Sequence, residues 1–286
     1  MRIGRHGGRG CGFVVDQGVV VTNAHNLRDR TTEVTFADGR AVQASALGID
    51  VDGDLAVLEV DTGDATPLAW ATEPPELGDP VFAVVRTADG TRVTSGSVSG
   101  VDRGFRGPRG RRIAGAVEHT APLARGSSGS PIVDESGAVL GITTVRLGDG
   151  FFAALRASTE VRARVEELRA GRAPQRRLLG VALAPAHITR RLRRAVGLPD
   201  RPGVLVRVVE SGSVAERAGL KSGDLITTAG DTEVTSADDV AAALDAVPSG
   251  GTLRLHVVRG TEEIDIAAPL DDDAEAAGQA SDHGEA

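Results

Sequence analysis

The sequence predicts a mainly β chain of two domains: an all-β barrel or sandwich, then a small α+β module. Three observations carry this. The 286 residues allow about two domains at roughly 100 to 200 residues each. As far as Phe152, apolar residues come in short runs rich in valine, isoleucine and threonine, cut by glycine, aspartate and proline, the spacing of strands and turns. Beyond Arg177, such runs alternate with stretches of helical periodicity.

In order, residues 13–15, 19–22, 33–36, 55–60 and 81–85 read as strands of the first domain. Residues 159–172 place Val161, Val165 and Leu168 at helical spacing, with Thr159 as the expected N-cap and Gly171 and Pro174 as the stop. The second domain reads as strand 179–183, helix 187–196, strand 203–209, helix 214–218 closed by Gly219, strand 224–228, helix 237–246 and strand 252–258. Ser236 and Asp239 form a capping-box-like start for the last helix. From Asp271 the chain is acidic and almost without apolar residues, so it cannot offset its own ordering entropy and is expected to be a disordered tail. The expected divisions are 1–157, a helical linker 158–175, a second domain 176–270 and the tail 271–286.

Composition removes several function classes. The net charge is −8. Six acids of the tail (Asp271, Asp272, Asp273, Glu275, Asp282, Glu285) leave the remainder at about −2, which offers no general field for nucleic acid or an anionic membrane. Six phenylalanines and one tryptophan, with no tyrosine, leave few platforms for base stacking. Nucleic acid is therefore not an expected partner. Cys11 is the only cysteine, which excludes an intramolecular disulfide and any cysteine metal cluster. No stretch has the length of a signal-peptide core or a membrane span. The arginines of residues 102–115 read as a solvated loop, and Arg190, Arg191, Arg193 and Arg194 as a basic helix face.

Three segments could carry chemistry. Val20-Val21-Thr22-Asn23-Ala24-His25 puts a histidine directly after a strand-like run, Asp54-Leu55-Ala56-Val57-Leu58 opens a buried strand with an aspartate, and Gly126-Ser127-Ser128-Gly129 holds a serine in a glycine-rich turn. Each has an ordinary structural reading alone: a surface histidine, a turn aspartate, a common tight turn. Together they supply a nucleophile, a base to take its proton and a carboxylate to fix the base's tautomer. The order His, Asp, Ser is that of trypsin-like β-barrel enzymes, opposite to the order in α/β-hydrolases.

With Gly10-Cys11-Gly12-Phe13 before them, these motifs resemble the HtrA/Deg-type serine proteases, a trypsin-like double β-barrel domain followed by an α+β PDZ domain; the resemblance covers about residues 10–270. It implies His25 as base, Asp54 as orienting acid, Ser128 as nucleophile, and the N–H groups of Gly126 and Ser128 as the oxyanion hole. It implies that Leu178, Leu179, Gly180 and Val181 form a carboxylate-binding loop, with helix 237–246 as the other wall of a peptide groove. No metal or organic cofactor is implied. The expected partners are unfolded polypeptides and peptide C-termini, and a homotrimer is the candidate assembly. The resemblance also puts Leu123 and residues 143–145 at the primary specificity pocket; with Glu118 too far upstream to sit at its base, small or medium apolar residues are the expected preference.

Departures from the family pattern add expectations. Ser127 stands where zymogen-activated relatives carry an aspartate, so activation by a newly cut amino terminus is not expected, and Ser130 replaces a usual glycine. Residues 1–4 are all that stand where the family has a first barrel strand, preceded by an export signal or anchor and a trimerising segment. An extracytoplasmic location is the expectation if the true start lies upstream; the sequence as written leaves the location open. The reading that follows is an ATP-independent serine endopeptidase. Its rival is a non-proteolytic peptide-binding scaffold or chaperone, in which an incomplete first strand leaves the barrel inactive.

Overall fold

The valine-rich runs at the start of the chain lie side by side as neighbouring strands. The computed structural model describes residues 1–4, 9–87, 89–107, 112–173, 178–184, 186–195, 201–248 and 250–270. Strands β1 (Arg2–Ile3), β2 (Gly10–Asp16), β3 (Val19–Thr22), β4 (Thr31–Thr35), β5 (Ala41–Asp50) and β6 (Leu55–Glu59) close a barrel in the order β1-β2-β3-β6-β5-β4. β1 pairs with both β2 and β4, and Ile3 is fully buried, so the barrel closes with the two residues present.

A second barrel follows from β7 (Pro80–Thr87), β8 (Gly90–Arg106), β9 (Arg112–His119), β10 (Pro131–Val133), β11 (Val139–Gly148) and β12 (Phe151–Arg156), in the order β10-β11-β12-β9-β8-β7. One core cluster serves both barrels: Phe13, Val21, Leu55 and Val57 of the first pack with Ile142, Ala153 and Leu155 of the second. The solvated loop expected over residues 102–115 is corrected at its two ends, where the β8–β9 ladder pairs Phe105 with Ile113 and Arg106 with Arg112; residues 108–111 lie outside the described residues. Phe105 and Ile113 are buried in the shared core, while the intervening glycines and arginines mask their alternation in the sequence.

Helix α1 (Thr159–Arg169) lays Val165 and Leu168 into the same core. Its N-cap is Ser158, whose hydroxyl accepts the Val161 N–H at 3.3 Å, one residue before the expected Thr159. Under its last turn, Gly48 of β5 leaves room for the Leu168 backbone that a Cβ would overlap.

The chain divides into two compact units, Met1–Pro174 and Gln175–Ala286. The second contains β13 (Val181–Ala184), α2 (Ala186–Ala195), β14 (Val204–Val209), α3 (Val214–Arg217), β15 (Leu225–Ala229), β16 (Thr232–Glu233), α4 (Ala237–Ala246), β17 (Thr252–Arg259) and β18 (Glu262–Pro269). The sheet order is β13-β14-β15-β17-β18, with β16 on β15. Val240 and Leu244 of α4 are buried in this unit's core, and both halves of the Ser236–Asp239 capping box are formed. The fold is mainly β, as the sequence predicts. The acidic tail lies outside the described residues, as do the side chains of Arg190 and Arg193.

Candidate active site

Strand register brings the first two site residues together. β3 pairs with β6 with Thr22 opposite Ala56, so a residue just after β3 faces one just before β6. His25 lies on the 3-10 turn Ala24–Asn26 that follows β3, and Asp54 ends the turn before β6. The His25 Nδ1 is 2.9 Å and 2.8 Å from the two carboxylate oxygens of Asp54, and the His25 backbone N–H donates to Oδ1 at 3.0 Å. Asp54 is 2% exposed and holds a left-handed backbone at φ 53°, while His25 is 28% exposed. A buried carboxylate thus faces Nδ1, leaving Nε2 as the ring nitrogen not engaged by it. Asn23 steadies the acid's backbone by donating its Nδ2 to the Asp54 carbonyl at 2.9 Å.

Ser128 comes from the segment between β9 and β10, pinned on both sides. Its carbonyl accepts the Cys11 N–H of β2 at 2.7 Å and the Asn26 Nδ2 at 2.9 Å. Downstream, the Gly129 N–H donates to the Thr143 carbonyl at 2.7 Å and the Thr143 N–H to the Ser130 carbonyl at 2.8 Å. Upstream, Arg146 of β11 donates to the Leu123 carbonyl at 2.7 Å and lies over the Phe152 ring at 4.9 Å. The Ser128 hydroxyl donates to the Thr144 carbonyl at 3.2 Å, and no hydrogen bond joins it to the His25 ring. Among the described residues, the N–H groups of Gly126 and Ser128 have no acceptor. Gly126 reaches this turn with φ +82°. Ser127 keeps its hydroxyl inside the loop, on the Ala124 carbonyl at 2.7 Å.

At the expected pocket wall, Leu123 and Thr143 are buried and Val145 is half-buried. Cys11 lies beneath the loop, with its Sγ 3.4 Å from the Gly126 carbonyl oxygen; burial pushes its thiol pKa up, so it stays protonated. Asn26 and Arg146 carry no signal in the sequence, because each donates to a backbone carbonyl distant in the chain.

In the second unit, Leu178 is 54% exposed, Leu179 is buried and Val181 opens the edge strand β13. The carbonyls of Leu179 and Gly180 accept the N–H groups of Ala215 and Glu210 at 2.8 Å and 2.9 Å. Their own N–H groups have no acceptor among the described residues. Gly180 has φ +77°, and a Cβ there would overlap the Ser213 side chain. Also among the described residues, no group of three or more His, Cys, Asp or Glu side chains could hold a metal ion.

Known proteins place both units. Residues 10–142 match the trypsin-like peptidase domain family and residues 205–259 the PDZ domain family. The chain is similar to Protease Do-like 1, chloroplastic, of Arabidopsis thaliana, at 31% identity over 290 residues, covering 92% of this chain and 64% of that protein. It is also similar to the probable periplasmic serine endoprotease DegP-like of Rhizobium meliloti, at 32% identity over 263 residues, covering 86% of this chain and 50% of that one. It thus spans about half to two thirds of the length of these relatives. Its backbone is similar to the solved HtrA-type protease AlgW with decapeptide, at a TM-score of 0.75 and 24% identity, covering 92% of this chain and 82% of that one. With a trypsin-like peptidase domain followed by a PDZ domain, the chain belongs to the HtrA/Deg-type family of serine proteases.

Proposed function

We propose that the chain is an ATP-independent serine endopeptidase that cleaves unfolded polypeptide by acyl transfer to Ser128. The observation that carries this reading is the buried Asp54 carboxylate on His25 Nδ1, together with a serine whose carbonyl is bonded by the residue after His25 and whose loop presents two uncommitted backbone N–H groups. In this reading Asp54 fixes the tautomer that leaves Nε2 able to accept a proton. Ser128 releases the Thr144 carbonyl, gives its hydroxyl proton to Nε2 and attacks the scissile carbonyl. The N–H groups of Gly126 and Ser128 meet the oxyanion, a role in which losing one donor costs roughly 2.7 to 4 kcal/mol. The proton held on Nε2 then passes to the leaving amine, and water repeats the sequence on the acyl-enzyme.

The unengaged N–H groups of Leu179 and Gly180, beside the unpaired edge of β13, suit a terminal carboxylate with its chain added as a strand. Peptide C-termini are accordingly the proposed PDZ ligands, with α4 as the other wall. Relatives named periplasmic support an extracytoplasmic location, and no helix among the described residues is long and apolar enough to cross a membrane. Ser128→Ala is expected to abolish casein cleavage and fluorophosphonate labelling with unchanged thermal stability, since a half-buried hydroxyl contributes little to folding. A wild-type chain that binds unfolded protein but does not label at Ser128 would support the scaffold reading instead.

A further inference from the structure

We propose that Asn26 is a positioning residue that fixes the base-bearing turn to the nucleophile's backbone; this rests on the reading of His25 and Ser128 given above. Asn26 follows His25 on the same 3-10 turn, and its side chain is 1% exposed. The Nδ2 donates to the Ser128 carbonyl at 2.9 Å and to the Thr22 hydroxyl at 3.0 Å. The Thr22 hydroxyl donates to the Cys11 carbonyl at 2.6 Å, and the Cys11 N–H donates to the Ser128 carbonyl at 2.7 Å. A closed buried circuit therefore ties together the turn carrying His25, strands β2 and β3, and Ser128.

Two glycines make room for that circuit. A Cβ on Gly10 would overlap the Asn26 amide, and one on Gly129 would overlap the Cys11 carbonyl oxygen and crowd Thr22 Oγ1 and Asn26 Nδ2. The amide has only one workable orientation, because Ser128 O and Thr22 Oγ1, whose proton is already given away, both require a donor. In that orientation the buried Asn26 Oδ1 has no partner, and an unsatisfied buried carbonyl opposes folding.

Stability does not account for the amide. Without it, Ser128 O keeps the Cys11 N–H and Thr22 Oγ1 keeps the Cys11 carbonyl, so an apolar side chain would orphan neither group. What would be lost is the one side-chain bond running from the residue beside His25 to Ser128. The amide's role is to hold base and nucleophile in register, where a displacement of about 1 Å can cost on the order of 100-fold in rate.

The test compares the wild-type chain with Asn26→Val and Asn26→Ala in fluorophosphonate labelling rate, kcat and KM on a small chromogenic peptide, and Tm. Asn26→Val is expected to lose roughly tenfold to 100-fold in kcat and labelling rate, with KM within about twofold and Tm equal or higher. Unchanged kcat, or a kcat loss that tracks a fall in Tm, overturns the proposal. If Asn26→Val does not fold, Asn26→Ala is read by the same criteria; failure of both to fold makes the amide structural and overturns it too. A wild-type chain that does not label at Ser128 overturns the endopeptidase reading and this proposal with it, whereas equal labelling of wild type and variant overturns this one alone.

Discussion

Gly129 has no space for a side chain and no ordinary backbone conformation to offer one. Its φ is +86°, and a Cβ there would overlap the Cys11 carbonyl oxygen, a backbone atom of β2 that cannot swing away. Backbone strain in the left-handed region costs about 1 to 3 kcal/mol by itself, and the overlap adds to it. Gly129→Ala is therefore expected to lower stability by at least about 2 kcal/mol and to slow fluorophosphonate labelling, because relief of the overlap must move Ser128 or Cys11. Urea unfolding together with labelling rate checks this; a variant as stable and as reactive as wild type would show that the segment bends freely. Asp54 also lies in the left-handed region, where an aspartate is tolerated better than most side chains. Backbone strain and the orphaned amide oxygens of Asn23 and Asn26 thus gather around one site.

At the scale of elements, residues 178–180 form a loop leading into β13, with the carbonyls of Leu179 and Gly180 spent on Ala215 and Glu210 and their N–H groups without an acceptor among the described residues. Those donors suit an anion, so a peptide ending in a free carboxylate is expected to bind at least about tenfold more tightly than its C-terminal amide. Gly180→Val should weaken binding of the acid, since it forces a β-branched side chain into positive φ and against Ser213. Calorimetry with the paired peptides decides it, and equal affinity for acid and amide removes the carboxylate site. The elements most legible in the sequence were those with two concordant signals. Helix α4 had both apolar periodicity and the Ser236–Asp239 box, and its bounds fall where the sequence put them. Strands β5 and β8 are hard to read because small or polar residues hold buried positions where an apolar residue would mark a period of two: Gly48 and Asp50 in β5, Gly100 in β8. Between Phe105 and Ile113, glycines and arginines conceal the β8–β9 pairing in the same way. Around the site, His25, Asp54 and Ser128 each carried a local motif. Asn26 carried none, since its partners are Thr22 and a carbonyl 102 residues away.

For the whole molecule, two histidines give the two units opposite responses to pH. His119 of β9 is fully buried against Phe152, with neither ring nitrogen hydrogen-bonded, and burial lowers its pKa to about 4. The unfolded chain, at about 6.5, binds that proton more readily. This histidine's contribution is therefore complete above pH 6.5 and is lost as pH falls toward 4. The loss reaches about 2 kcal/mol at pH 5 and about 3 kcal/mol at the lower end. His256 of β17 is shifted the other way: its hydrogen bond to Asp265 at 2.7 Å, with Glu263 beside it, raises its pKa. Its contribution is present below 6.5 and disappears as pH rises through the raised value, and partial exposure to solvent keeps it small. Trp70, the only tryptophan, packs edge-on against Phe13 in the first unit, so its emission reports that unit alone. Urea unfolding followed by Trp70 emission should show the first unit weakening between pH 7.5 and 5, and His119→Phe should remove about 2 kcal/mol of that difference. Circular dichroism follows both units together, and its transition should shift less with pH than the Trp70 signal. An identical pH dependence in wild type and His119→Phe would mean that the ring takes up its proton without opening the barrel, and the opposed response of the two units would be lost with it.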